Sequence, residues 1–210
     1  MSIKTKIDLE TWNRKEHFEF FSKMEEPFWG ITTTLDVTQA HHKAKSLSIS
    51  FFTYYLYQTL CAVNSVENFK LRILNNDVYL FDTIDASATV MRNDTTFGFS
   101  YMKFDKDLQV FQSIVLDEIN RIEQTTGLFT KLDFPENLIH FSALPWVDFS
   151  ALSHARGFSY PDSCPKISWG KLIDIDNKKT MSVSIHVHHG LVDGYHVGVF
   201  VEKLQELLNS

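Results

Sequence analysis

Cysteine is scarce in this 210-residue chain. Cys61 and Cys164 are the only two, too few for a disulfide-stapled secreted scaffold, so a reducing compartment is expected. Glycine and proline are also sparse, at 8 and 5 residues, which excludes collagen-like and low-complexity architectures. No run of Lys or Arg exceeds two residues and the formal net charge is −6. The clustered cations that neutralise phosphates are missing, so nucleic acid is not an expected partner. The most apolar stretch, 49–66, is broken by Thr53, Gln58, Thr59 and Asn64 and falls short of the roughly 20 residues of a membrane span. The N-terminus lacks the apolar core of a signal peptide. A cytoplasmic protein without a membrane partner is the expectation. What is abundant is aromatic: 18 Phe, 7 Tyr and 4 Trp within a 44% hydrophobic composition. That suits flat apolar pockets or a large subunit interface. The length fits a single domain over 1–210.

Periodicity gives a mixed order of elements. Residues 8–24 read as a first helix, capped by Asp8 or Thr11, with Trp12, Phe18, Phe21 and Met24 near one face. Alternation over 29–37 predicts a strand, and Thr38 begins a short helix through Lys45. Residues 50–66, apolar nearly all round, predict a buried helix. Strands are expected over 78–81 and 87–91, joined by an acidic turn, and over 97–103. Leu108, Phe111, Val115, Ile119 and Ile122 mark an amphipathic helix. Further strands follow at 139–144, 167–173 and 181–189. The chain closes in a helix with Val197, Phe200, Val201, Leu204, Leu207 and Leu208 as its apolar positions. Strands and helices mixed along the whole length predict an α/β or α+β sandwich.

Four histidines fall near the C-terminus. Strand parity puts Met181, Val183, Ile185, Val187 and then His189 on one face, and Ser182, Ser184, His186 and His188 on the other. His189 thus continues an apolar face at a strand end. A neutral imidazole there suits a general base. Parity alone leaves open a core histidine satisfied by one backbone hydrogen bond. No spacing matches a zinc signature, so no metal is expected. Four residues after His189 stand Asp193 and Gly194.

The resulting His-x-x-x-Asp-Gly is the pattern of CoA-dependent acyltransferases. Three other segments join it: Trp12-Asn13-Arg14-Lys15-Glu16-His17-Phe18-Glu19, Phe141-Ser142-Ala143-Leu144-Pro145-Trp146 and Ile167-Ser168-Trp169-Gly170-Lys171. With these four motifs in order, the chain resembles the chloramphenicol acetyltransferase family over essentially its full length. The resemblance implies a two-layer α/β sandwich assembled as a homotrimer, with the histidine of one chain facing a pocket lined by its neighbour. It implies acetyl-CoA as co-substrate and a small hydroxylated acceptor. His189 would be the base and Ser142 the donor to the oxyanion. Asp193 would pair with Arg14 to brace the turn carrying His189, and Ser168, a threonine in the family, would hold a water near the oxyanion. Lys171 and Trp146 would contact CoA. Phe21, Trp29, Phe97 and Phe129 would line the acceptor pocket.

The chain departs from the family in three places. An apolar pocket run becomes Leu152-Ser153-His154-Ala155-Arg156, which would make that wall polar or charged. A lysine that helps hold a CoA phosphate becomes Ser50. Small residues inside the histidine motif differ as well. Chloramphenicol O-acetylation, an antibiotic-resistance activity, is the expected function. The alternatives are the same chemistry on a more polar acceptor, which Arg156 would suit if it carried a carboxylate, and a non-catalytic small-molecule binder. A dihydrolipoyl-acyltransferase core is disfavoured by the short stretch before residue 8.

Overall fold

The computed structural model describes residues 2–131, 133–157 and 162–210. Its centre is β10 (Lys178–His188), eleven residues that alternate so regularly that both faces are used. Met181, Val183, Ile185 and Val187 enter the hydrophobic core, while Ser182, Ser184 and His188 are buried on the other side. β10 lies antiparallel to β2 (Phe28–Asp36) along nine residue pairs and to β8 (Lys166–Trp169) on its other edge. Beyond β8 the sheet continues through β7 (Leu138–Ala143) and β5 (Asp85–Met91) to β6 (Phe97–Phe99), and β9 (Ile173–Ile175) pairs with the start of β10. A second sheet of three strands, in the order β1 (Lys4–Lys6), β4 (Asp77–Phe81), β3 (Leu71–Leu74), stands apart.

Helices cover one face of the large sheet. In α3 (Phe51–Ser65), Leu56, Leu60 and Val63 are wholly buried, and Tyr55 packs 5.0 Å from Trp169. α5 (Gly194–Leu208) contributes Val197, Phe200 and Leu204, with Phe200 stacked 4.6 Å from Phe69. α2 (Thr38–Ser46) and α4 (Leu108–Glu123) complete the layer through Ala40, Ala44, Phe111, Val115 and Ile122. Gln205 clamps α5 to the sheet edge: its Oε1 accepts from Asp36 N at 2.9 Å and its Nε2 donates to Asp36 O at 2.8 Å. The two-layer α/β sandwich is therefore the architecture found. Among the described residues, no helix is long and apolar enough to cross a membrane.

Several boundaries differ from the sequence reading. The first helix is only α1 (Lys15–Phe21). Asp8 turns its side chain back onto Glu10 N and the Thr11 hydroxyl, a local turn that competes with helix. The segment after Phe81 is a crossover between sheets, because β4 and β5 do not pair. The strand expected over 167–173 is broken at Gly170, whose N–H bonds Ser182 O. A Cβ there would fall within 2.1 Å of Ser182 Oγ. β3–β4 and β9–β10 are two-residue hairpins. Their tips Asn75–Asn76 and Asp176–Asn177 all have φ between 51° and 66°, the left-handed pair a type I′ turn requires. Ser50, read as a lost lysine contact, caps α3 by accepting from Thr53 N at 3.1 Å.

Candidate active site

His189 lies one residue past the end of β10. Its backbone N donates to Pro27 O at 2.8 Å, and Leu191 N and Val192 N both bond His188 O, closing a tight turn. Trp29 stands opposite Val187 on β2, and directly paired residues share a face. Trp29 and His189 are therefore on the core-facing side, as parity predicts. The His189 ring stacks on Phe21 at 3.9 Å and 11°, and leans on Trp29 at 5.3 Å. Trp29 is fixed in turn by its indole N–H on Val192 O at 3.0 Å. The imidazole thus packs against two aromatic side chains, and its Nδ1 is buried without a partner among the described residues.

His188 is the member of the pair that fits the core-histidine description. It is buried, its Nδ1 accepts from Gly190 N at 3.2 Å, and its ring meets Phe28 edge-on. Burial first, then the Arg156 charge, pushes it down to about 4. It is a neutral structural group on the opposite face from His189.

The turn is braced by a charge pair. Arg14 Nη1 meets Asp193 Oδ2 at 2.6 Å, and Arg14 Nη2 donates to His189 O at 3.4 Å. Asp193 also caps α5 through Tyr195 N, and His196 Nδ1 accepts from Asp193 N at 3.2 Å. His196 Nδ1 also lies 2.8 Å from Asp193 Oδ1, and burial lowers the imidazole's pKa while the neighbouring carboxylate opposes that shift. Burial alone would raise the Asp193 carboxyl, but the bond from Arg14 and the fields of His196 and Arg14 hold it below the usual range. A carboxyl depressed in the folded state stabilises the fold above its unfolded pKa, and that contribution disappears as pH falls through the folded value. Thermal melts taken downward from neutral pH should lose this increment below about pH 4. In Asp193→Asn the increment is absent throughout, so the two melting curves should converge at acid pH.

Ser142 belongs to a second locus. Strand register aligns Ser142 on β7 with Ser168 on β8, Ser184 on β10 and Thr32 on β2, a row of hydroxyls on the sheet face away from the helices. Ser168 is 1% exposed, and its hydroxyl finds no hydrogen-bond partner among the described residues. Ser142 opens onto a cavity of about 610 Å³ whose wall includes Phe97, Phe129 and His154. His154 lies edge-on to His186 at 4.9 Å, and burial, with His186 next, pushes it down to about 4. Trp146 is 63% exposed and Lys171 is exposed. Lys171 N bonds Val147 O at 2.9 Å, which sets both on the rim beyond the end of β7.

The expected acceptor residues therefore divide. Phe97, Phe129 and His154 line the Ser142 cavity, whereas Phe21 and Trp29 hold His189. Arg156 lines neither. It is paired with Glu26, and its guanidinium lies 3.7 Å over the Phe28 ring. Expected from the sequence to receive an acceptor's carboxylate, it stands outside the lining of the Ser142 cavity. Sequence reading missed Ser87, His140 and Lys166, which also line the cavity. The signal was present: His140 and Lys166 sit two residues before Ser142 and Ser168, on the same strand faces. Among the described residues, no three His, Cys, Asp or Glu side chains converge as metal ligands would.

Register also fixes how far apart the two loci lie. Ser184 shares a rung with Ser142 two strands away, and His189 follows Ser184 by five residues. At about 3.3 Å per residue and about 4.8 Å per strand, Ser142 and His189 are on the order of 19 Å apart in one chain. They also face opposite sides of the sheet.

Comparison with known proteins gives a consistent result. The family model described as chloramphenicol acetyltransferase matches residues 2–205. Chloramphenicol acetyltransferase 3 of Escherichia coli is 31% identical over 98% of this chain and 97% of its own length. The chloramphenicol acetyltransferase of Clostridium perfringens is 31% identical over 98% of both chains. A solved chloramphenicol acetyltransferase superposes with a TM-score of 0.91 at 29% identity, covering 98% of this chain and all of that one. A probable dihydrolipoamide acetyltransferase from Listeria monocytogenes is similar in fold alone, with a TM-score of 0.64 at 12% identity over 92% of this chain and 88% of that one.

Proposed function

The chain belongs to the chloramphenicol acetyltransferase family, an acyltransferase family, and on that premise we propose that it transfers the acetyl group of acetyl-CoA to a hydroxyl of chloramphenicol, at sites shared between copies of the chain. The observation that carries the shared site is the separation of His189 from Ser142, on opposite sheet faces and on the order of 19 Å apart. One copy cannot offer both to the same substrate. A homotrimer in which the His189 turn of one protomer covers the Ser142 cavity of the next would complete each site. The exposed Phe97 and Phe129 at the cavity mouth fit closure by a neighbour.

In this reading His189 takes the proton of the acceptor hydroxyl as that oxygen forms a bond to the thioester carbon. Phe21 and Trp29 orient the ring, and the Arg14–Asp193 pair holds its backbone. Ser142 donates to the oxygen that becomes an oxyanion, with a water on Ser168 beside it. Collapse of the tetrahedral intermediate breaks the C–S bond, and the proton on His189 passes to the departing thiolate. The products are the acetyl ester and free CoA. Trp146 and Lys171, exposed beyond the end of β7, are the residues that contact CoA in this reading. Residues 1–210 act as one acetyltransferase domain, in the cytoplasm, where acetyl-CoA is available. Release of free thiol from acetyl-CoA, dependent on both chloramphenicol and the protein, is the expected result. No thiol release under saturating acetyl-CoA would overturn the assignment.

A further inference from the structure

The floor of the Ser142 cavity carries a second polar rung that acetyl transfer does not use. Strand register aligns Ser87 on β5, His140 on β7, Lys166 on β8 and His186 on β10. The first three line the cavity. This rung lies two residues from the Ser142–Ser168 rung on both β7 and β8, about 6.6 Å along the strands. Above it stand Phe97, Phe99 and Phe129, with ring centroids 5.7 and 5.4 Å apart. A flat acceptor lying against the phenylalanines with its hydroxyl at Ser142 would bring its far end to His140 and Lys166.

The donors on that rung decide what the far end should be. The Lys166 side chain is 6% exposed. An ammonium has three donors and no acceptor. Lys166 Nζ gives one to Asp162 Oδ2 at 2.5 Å and one to Cys164 O at 3.2 Å. Among the described residues the third is met by the Phe28 ring, 4.5 Å from Nζ, a weaker partner than a carboxylate oxygen. His140 is exposed on the cavity floor, its backbone already bonded to Pro165 O, and the Ser87 hydroxyl can donate beside it. Lys166, His140 and Ser87 thus put donors at the bottom of an aromatic slot.

We infer that Lys166 and His140 form a subsite for a carboxylate, so that beside chloramphenicol the pocket takes a flat alcohol bearing an anionic group about 7 Å from the hydroxyl that is acetylated, and binds it tighter than its neutral isostere. This rests on the acetyl-transfer reading for the placement of the hydroxyl. It moves the anion site from Arg156, which does not line the cavity, to Lys166, which does. A site built to bond one polar group discriminates strongly against an isostere that lacks it, because its own donors are then left unpaired.

Isothermal titration of the full-length protein with 4-(hydroxymethyl)benzoate and with its neutral isostere 4-methylbenzyl alcohol tests the subsite without relying on turnover. The carboxylate probe should bind at least about tenfold tighter. That ratio should fall close to one in the Lys166→Met, Asp162→Asn double variant, which leaves no unpaired buried charge. It should fall partway in His140→Phe, which keeps the Lys166–Asp162 pair intact and so guards against loss of fold. Equal affinity, tighter binding of the neutral probe, or no binding of either to the unaltered protein would overturn the inference. Thiol release with chloramphenicol and with 4-(hydroxymethyl)benzoate separates the two readings. If the binding ratio holds while neither compound releases thiol, acetyl transfer is wrong and the carboxylate subsite stands. Turnover of chloramphenicol without the binding ratio is the reverse case.

Discussion

His189→Ala is expected to lower kcat for chloramphenicol acetylation by about 10²–10⁴-fold, the usual contribution of a positioned general base. KM should change little, because the ring is asked to act on a proton in the transition state and not to hold the substrate. The effect should be separable from stability. His189 is half-buried at a strand end, and its backbone N keeps the bond to Pro27 O whatever the side chain. His188→Ala supplies the contrast. That ring is buried and accepts from Gly190 N, so its loss should lower the melting temperature while the folded fraction keeps most of its kcat. If His189 were only a packing residue between Phe21 and Trp29, the two variants would behave alike. Turnover in His189→Ala equal to that of the unaltered protein would end its assignment as the base.

Ser142→Ala is the second large effect. Removing one preorganised oxyanion donor typically costs about 2.7–4 kcal/mol of barrier, which is about 10²–10³-fold in kcat. The competing account makes Ser142 a turn hydroxyl ahead of Pro145. The structure secures that turn by other means: Leu144 N bonds Trp169 O at 2.8 Å, and Val147 N bonds Leu144 O at 3.2 Å. Replacing the hydroxyl should therefore leave the fold nearly unchanged while kcat drops. A loss of melting temperature with kcat preserved in the folded fraction would favour the turn role.

Much of this site could be read along the chain, and the parts that could not share a physical reason. The regular alternation of β10 placed His189 on the same face as Val187, and the structure adds Trp29 to that face. α4 and α5 were legible because their apolar positions repeat every three to four residues over fifteen or more. β1 and β3 were not, because short edge strands such as Lys4–Lys6 bury little and carry no clear alternation. The first helix was overdrawn because a self-bonding Asp8 turn leaves the same apolar spacing as a helix. Pairings across long separations were also out of reach without a resemblance. Arg14 meets Asp193 over 179 positions, and Glu26 meets Arg156 over 130. The division of the aromatic residues into a His189 cradle and a Ser142 slot has no one-dimensional signature, because it depends on how strands stack into a sheet. His140 and Lys166 were readable by counting back two residues from Ser142 and Ser168. Their apolar neighbours Ile139 and Ile167 drew attention to the opposite face.

The central claim is that catalysis needs His189 from one copy and Ser142 from another. Co-refolding equal amounts of the Ser142→Ala chain and the His189→Ala chain tests it most directly. Each variant alone should be nearly inactive. In randomly mixed trimers, about one quarter of the shared sites would join an intact His189 to an intact Ser142, and activity should return to about that fraction of the unaltered protein. A mixture that stays as inactive as its components, despite demonstrated exchange of subunits, would contradict the account.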